Sequence, residues 1–93
     1  MSTKKEHEAL AEEHLSSAKS IFGLARGHTL APGKCWTGFG FIMDAREDIR
    51  RAQEEARHLR NPTPKQKRLK KEINHTAGRI FNLTKAYKDR CVK

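Results

Sequence analysis

A chain of 93 residues has room for one domain, and a fold of this size removes only roughly 60 to 65% of the unfolded surface from water, so its core must be thin. With 35% apolar and 33% charged residues it is polar for a folded protein yet too rich in hydrophobes for a disordered one, and no window approaches the ~18 consecutive apolar residues of a membrane span. The whole net charge of +9 lies in the last third: residues 1–59 hold nine basic and nine acidic side chains, whereas residues 60–93 hold eleven basic ones against Glu72 and Asp89. Segregation of this kind makes a directional field that attracts and orients a polyanion, and nucleic acid is the commonest polyanion in a cell. The opening MSTKKEHEALAEEH has no apolar run of the kind that forms a signal-peptide core, so a soluble, cytoplasmic protein is expected. Cys35 and Cys91 are too few for a disulfide scaffold and lack CxxC spacing. They read as reduced thiols, with a single Cys35–Cys91 bridge as the lesser alternative.

Thr3 followed by Glu6 fits a capping box and opens a first helix over about residues 3–26. Ala11, Leu15, Ala18, Phe22 and Ala25 recur at spacings of four and three, with Leu10, His14 and Ile21 alongside, and draw one apolar stripe. Gly27 is the expected stop. Residues 28–39 then read as a loop around a Pro32-Gly33 type II turn, unusually apolar because it carries Leu30, Trp36 and Phe39. The first reading of that loop is a plug folded over the open end of the helices; the alternative is an exposed aromatic recognition loop formed by Lys34, Trp36 and Phe39.

A second helix over about 40–60 places Phe41, Ala45, Ile49, Ala52, Ala56 and Leu59 on one face. Its other face is charged but balanced: Glu47 with Arg51, Arg50 with Glu54, and Arg51 with Glu55 stand four apart, as solvated helix surfaces do. Asn61-Pro62-Thr63-Pro64 breaks the chain, since proline cannot continue a helix and unsettles the residue before it. Thr63 as cap, Pro64 in the first helical position and Gln66 at the capping-box site then start a third helix over about 64–90. Its stripe is Leu69, Ile73, Ala77, Ile80, Thr84, Tyr87 and Cys91, with Phe81 and Leu83 on the shoulders. These elements predict a single all-α domain over 1–93, either a three-helix bundle or a long helical hairpin with a third helix packed across it.

The basic opening of the third helix, Lys65, Lys67, Arg68, Lys70 and Lys71, opposes the helix dipole and repels itself at three- and four-residue spacings. Local stability does not select such an arrangement, and an anion would relieve it; the plain alternative is a solvated, solubilising turn. Opposite the apolar stripe fall Lys67, Lys71, Asn74, Gly78, Asn82 and Lys85, with His75 close by. Lysines pair with phosphates, asparagines donate and accept at base edges, and an exposed glycine admits another backbone, although a kink or close helix packing explains Gly78 equally well. Arg60, Arg79, Lys88 and Arg90 extend the field.

The five histidines and two cysteines show no ligand spacing, so neither metal nor cofactor is expected. No nucleophile elbow, paired carboxylate or phosphate-binding glycine loop occurs, so the chain does not read as an enzyme. The expectation is a small basic module that contacts nucleic acid or a nucleoprotein complex through its third helix. The alternative is a small protein inhibitor or adaptor, of the type phages and mobile elements direct at nucleases or CRISPR-like defence complexes, docking on an acidic or nucleic-acid-binding protein surface. Phe39 and Phe81 leave room for a homodimer as well.

Overall fold

The computed structural model describes residues 3–30, 33 and 35–91. Three α-helices, α1 (Lys4–Leu30), α2 (Cys35–Arg57) and α3 (Pro64–Cys91), run up, down and up to form the predicted three-helix bundle, a rod of 45 × 19 × 16 Å. Among the described residues there is no strand, and no helix is long and apolar enough to cross a membrane.

Alanine sets the packing. Ala11, Ala18 and Ala25 recur every seven residues on α1, Ala45 and Ala52 do so on α2, and all five have no exposed surface. Side chains this small let two backbones approach closely, and the seven-residue repeat keeps the seam facing its partner along the helix. The α1–α2 pair is accordingly the tightest contact, with α3 laid across it. Polar contacts fix the pair at both levels: Ser17 Oγ donates to Asp48 at 2.8 Å, and His7 Nδ1 lies 2.6 Å from Glu55 Oε2 while its ring stacks on His58 at 4.2 Å. Glu55 therefore serves α1, and the expected Arg51–Glu55 pair does not form; the other two spacings do, as Arg51–Glu47 and Arg50–Glu54.

Larger side chains fill the space between the hairpin and α3. Leu15, Ile49, Leu59, Leu69, Ile73 and Ile80 form the main core, and Ala25, Ile42, Leu83 and Tyr87 a second one toward the far end. The central residues of the expected stripes are all buried or half-buried, whereas the flanking Leu10 and Phe81 are exposed; Ile42 is fully enclosed where Phe41 was the predicted core residue, and Phe41 is only half-buried. The start of α3 carries the complete capping box. Gln66 N–H donates to Thr63 Oγ1 at 3.2 Å, and Thr63 N–H donates to Gln66 Oε1 at 3.0 Å. Before it, α2 closes in a tight turn, with His58 and Leu59 donating three residues back, and Asn61 adopts φ 49°, a left-handed conformation that asparagine tolerates.

Three expectations about the first connection are overturned. The first helix does not stop at Gly27 but continues to Leu30, because His28 stacks on Phe41 at 5.2 Å and ties the last turn to α2. The second helix starts at Cys35 and not near residue 40, so Trp36 and Phe39 belong to its first turns and the apolar loop shrinks to a short turn. Gly33, at φ 75°, supplies the positive dihedral that a type II turn requires; Lys34 and Pro32 lie outside the described residues. The cysteines are not reduced thiols: Cys35 and Cys91 form a disulfide across a Cα–Cα distance of 5.8 Å. This is the bridge that the sequence allowed as the alternative, and antiparallel packing of α2 against α3 makes it across 56 residues by bringing the first residue of one helix to the last of the other.

Closing a loop of that length restricts the unfolded chain, which stabilises the fold by about 2 to 4 kcal/mol. Cys35→Ser should therefore unfold at markedly lower urea concentration while remaining helical by circular dichroism, and the unreduced wild type should show no titratable thiol in denaturant. Thr63→Ala removes the acceptor of the α3 cap and should cost about 1 kcal/mol in the same unfolding experiment.

Candidate nucleic-acid interface

The cap at Thr63 fixes the start of α3, and winding at ~100° per residue spreads its five opening cations over three faces. Lys65 and Arg68 face α1, where with Glu12, Lys19 and Glu72 they line a groove of about 610 Å³. Charge in this groove is largely compensated: Lys65 Nζ lies 3.7 Å from Glu12 Oε1, and Lys19 pairs with Glu72. Lys70 turns toward α2, beside Gln53, Arg57 and Asn74. Lys67 and Lys71 point outward. What the sequence presents as one patch is thus divided, and only part of it is free to meet an anion.

The predicted ridge keeps its composition. Lys67, Lys71, Asn74, Gly78, Asn82 and Lys85 are all exposed, along about 27 Å of helix. Among the described residues, none of Lys67, Lys70, Lys71, Lys85 and Lys88 has an acidic side chain within ion-pair distance. Glu72 of α3 is paired with Lys19, and Glu47 of α2 with arginines of its own helix. Glu47 accepts from Arg50 at 2.9 Å and lies 3.5 Å from Arg51, and the Arg50 hydrogen bond holds its carboxyl below the usual carboxylate range. Arg50 is in turn held more firmly protonated by Glu47.

Other predicted members sit apart from the ridge. Arg79 leans toward α1, its guanidinium 4.9 Å from the centre of the Phe22 ring, a cation–π contact that assigns it to packing. Arg60 and Arg90 are exposed near opposite ends of α3. Trp36 and Phe39, read first as part of a plug and alternatively as an exposed anchor, are on a helix and on the surface: Trp36 is 78% exposed, so it plugs nothing. Lys34, its expected companion, is outside the described residues.

Sequence reasoning missed Met43 and placed Phe81 only on the shoulder of the α3 stripe, as an unassigned residue that would suit a homodimer. Phe81 is 63% exposed, with Lys85 Nζ 5.7 Å from its ring centre, and Met43 shares a shallow groove with it between α2 and α3. A signal for Met43 exists in the spacing, since Trp36, Phe39 and Met43 recur at three and four and make a second apolar stripe on α2, displaced from the core stripe. That stripe is visible only once the helix is extended back to Cys35. Among the described residues no three histidines, cysteines or acids come together in a group able to hold a metal, and the Cys35 sulfur is committed to Cys91.

A side chain added at Gly78 meets no other atom within 4 Å, and its backbone is not in the left-handed region. Close packing against another part of the chain therefore does not account for this glycine. Gly78→Ala should raise the stability of the free protein by about 0.5 to 1 kcal/mol, measured by urea unfolding. No protein-family model, no curated protein and no solved structure matches this chain.

Proposed function

We propose that this protein is a small binding module that contacts nucleic acid, free or within a nucleoprotein complex, through the outward face of α3. One observation carries the reading: five lysines of α3, Lys67, Lys70, Lys71, Lys85 and Lys88, have no acidic side chain within ion-pair distance among the described residues. Uncompensated lysines along one helix repel each other, and a row of phosphates relieves that repulsion while releasing the counterions condensed on the nucleic acid. Backbone contacts dominate in such an interface, with Asn74 and Asn82 as the side chains able to read a base edge. Sequence preference is accordingly limited and salt dependence steep. A cytoplasmic location, expected from the sequence, is harder to reconcile with the Cys35–Cys91 bridge, because disulfides persist where thiols are kept oxidised.

The test is a titration of the purified protein with labelled DNA and RNA, single- and double-stranded, across a range of salt concentrations. Affinity should fall with salt on a log–log slope of about −2 to −4, since each neutralised phosphate contributes about −0.7 to −0.9. Replacing Lys67, Lys71 and Lys85 together by Glu should abolish binding near physiological salt while the helical circular dichroism persists. Unchanged affinity in that variant would reduce the ridge to solvated surface. Absence of nucleic-acid binding, combined with a stoichiometric protein partner that survives nuclease treatment, would favour the inhibitor or adaptor reading instead.

A further inference from the structure

Apart from Leu10 and Leu24 on α1, the exposed large hydrophobics among the described residues gather along one seam. Trp36 and Phe39 meet edge to face at 6.3 Å, Phe39 stacks at 5.1 Å on the buried Tyr87 of α3, and Met43, one turn further along α2, shares a groove with Phe81. These contacts make a continuous strip along the seam of α2 and α3. Packing of the core does not require it: Trp36 and Phe81 are the two most exposed large hydrophobics among the described residues. Cations border the strip on both helices, and the one acid that lines the groove of Met43 and Phe81, Glu47, is paired with Arg50 and Arg51. Lys85 stands over the Phe81 ring, the Arg46 guanidinium lies 4.0 Å from the Met43 sulfur, and Lys88 is exposed one turn beyond Lys85.

We infer that this strip is a base-stacking track, and that the polyanion bound by the α3 ridge is single-stranded nucleic acid. The inference rests on the proposed function above and narrows its ligand. Within a duplex the faces of the bases are covered by their neighbours and cannot reach an aromatic ring, whereas an unpaired strand can lay bases on rings while its phosphates follow adjacent cations. Phe81 lies on α3 between Gly78 and Lys85, beside the ridge, so one strand can use both features at once. The same cations that suit a polyphosphate oppose a second copy of this chain, because a symmetric contact along the seam would set Arg46, Lys85 and Lys88 against a like-charged surface. Stacking tolerates any base, which agrees with an interface poor in groups that read base edges.

Trp36 is the only tryptophan, so its emission reports on the track directly. The protein is titrated with a 20-residue oligothymidylate, with an abasic oligonucleotide of the same length and charge, and with a duplex of the same length, at one salt concentration. Binding is followed by anisotropy and by Trp36 fluorescence. Oligothymidylate should bind at least about 10-fold more tightly than either competitor and quench the emission, whereas the abasic strand should bind without quenching. Phe81→Ala and Trp36→Ala should each weaken oligothymidylate binding by about 5- to 100-fold, leave the abasic affinity unchanged, and melt near the wild-type temperature because both side chains are exposed. Equal affinity for the thymidylate and abasic strands, or tighter binding of the duplex, overturns the track and leaves the α3 ridge standing. Failure of all three to bind overturns the ridge as well. Emission that no oligonucleotide alters, despite binding, assigns the seam to a protein partner and overturns the inference.

Discussion

The close approach of α1 and α2 through five fully buried alanines is the constraint on which the rest of the molecule depends. Several acids of the hairpin find partners within it, across the α1–α2 seam or along α2 itself. Glu55 meets His7, Asp48 meets Ser17, and Glu47 and Glu54 meet arginines on their own helix. Ion pairs to the third helix are few among the described residues. Its own Glu72 is taken by Lys19, and the hairpin returns a single carboxylate, Glu12, to Lys65. The cationic surplus that the sequence concentrates after residue 60 consequently stays unneutralised on the outer side of the rod.

A helix laid across a tight pair buries only one stripe, and α3 shows what the remaining faces become. The face toward α1 is a compensated groove, the outward face is a bare row of lysine, asparagine and glycine, and the face toward α2 joins an apolar strip begun by Trp36. Charge and exposed aromatic surface thus meet along one edge of the molecule. Neither feature alone is informative, since solvated lysines and single exposed hydrophobics are ordinary on small proteins. Their adjacency is what points to a ligand with both phosphates and unpaired bases.

The disulfide and the start of α2 are linked outcomes. Cys35 opens α2 and Cys91 ends α3, so the bridge fastens the two helices at the end where the short turn from α1 enters. Tyr87 lies beneath Phe39 in the same region and orients that ring. A bridge with this placement holds the aromatic strip in register with α3, and Trp36 and Phe39, which resemble part of a plug in the linear sequence, lie on the surface instead; the Leu30 side chain is outside the described residues.

Periodicity was enough to establish the all-α class, the three helices, nearly all of the core and the complete cap at Thr63–Gln66, because each is a matter of residues three to seven apart. The outward position of Lys67, Lys71, Asn74, Asn82 and Lys85 was legible for the same reason: opposite an apolar stripe lies solvent. Local spacing misplaced the stop at Gly27 and the start of α2, since the weak helix propensity of glycine is overridden once His28 packs on Phe41. Pairing of Cys35 with Cys91, engagement of Glu55 by His7, and the meeting of Met43 with Phe81 were decided only in three dimensions. These are contacts between residues 38 to 56 positions apart, and their partners are chosen by which helices lie side by side, a choice that no local pattern contains.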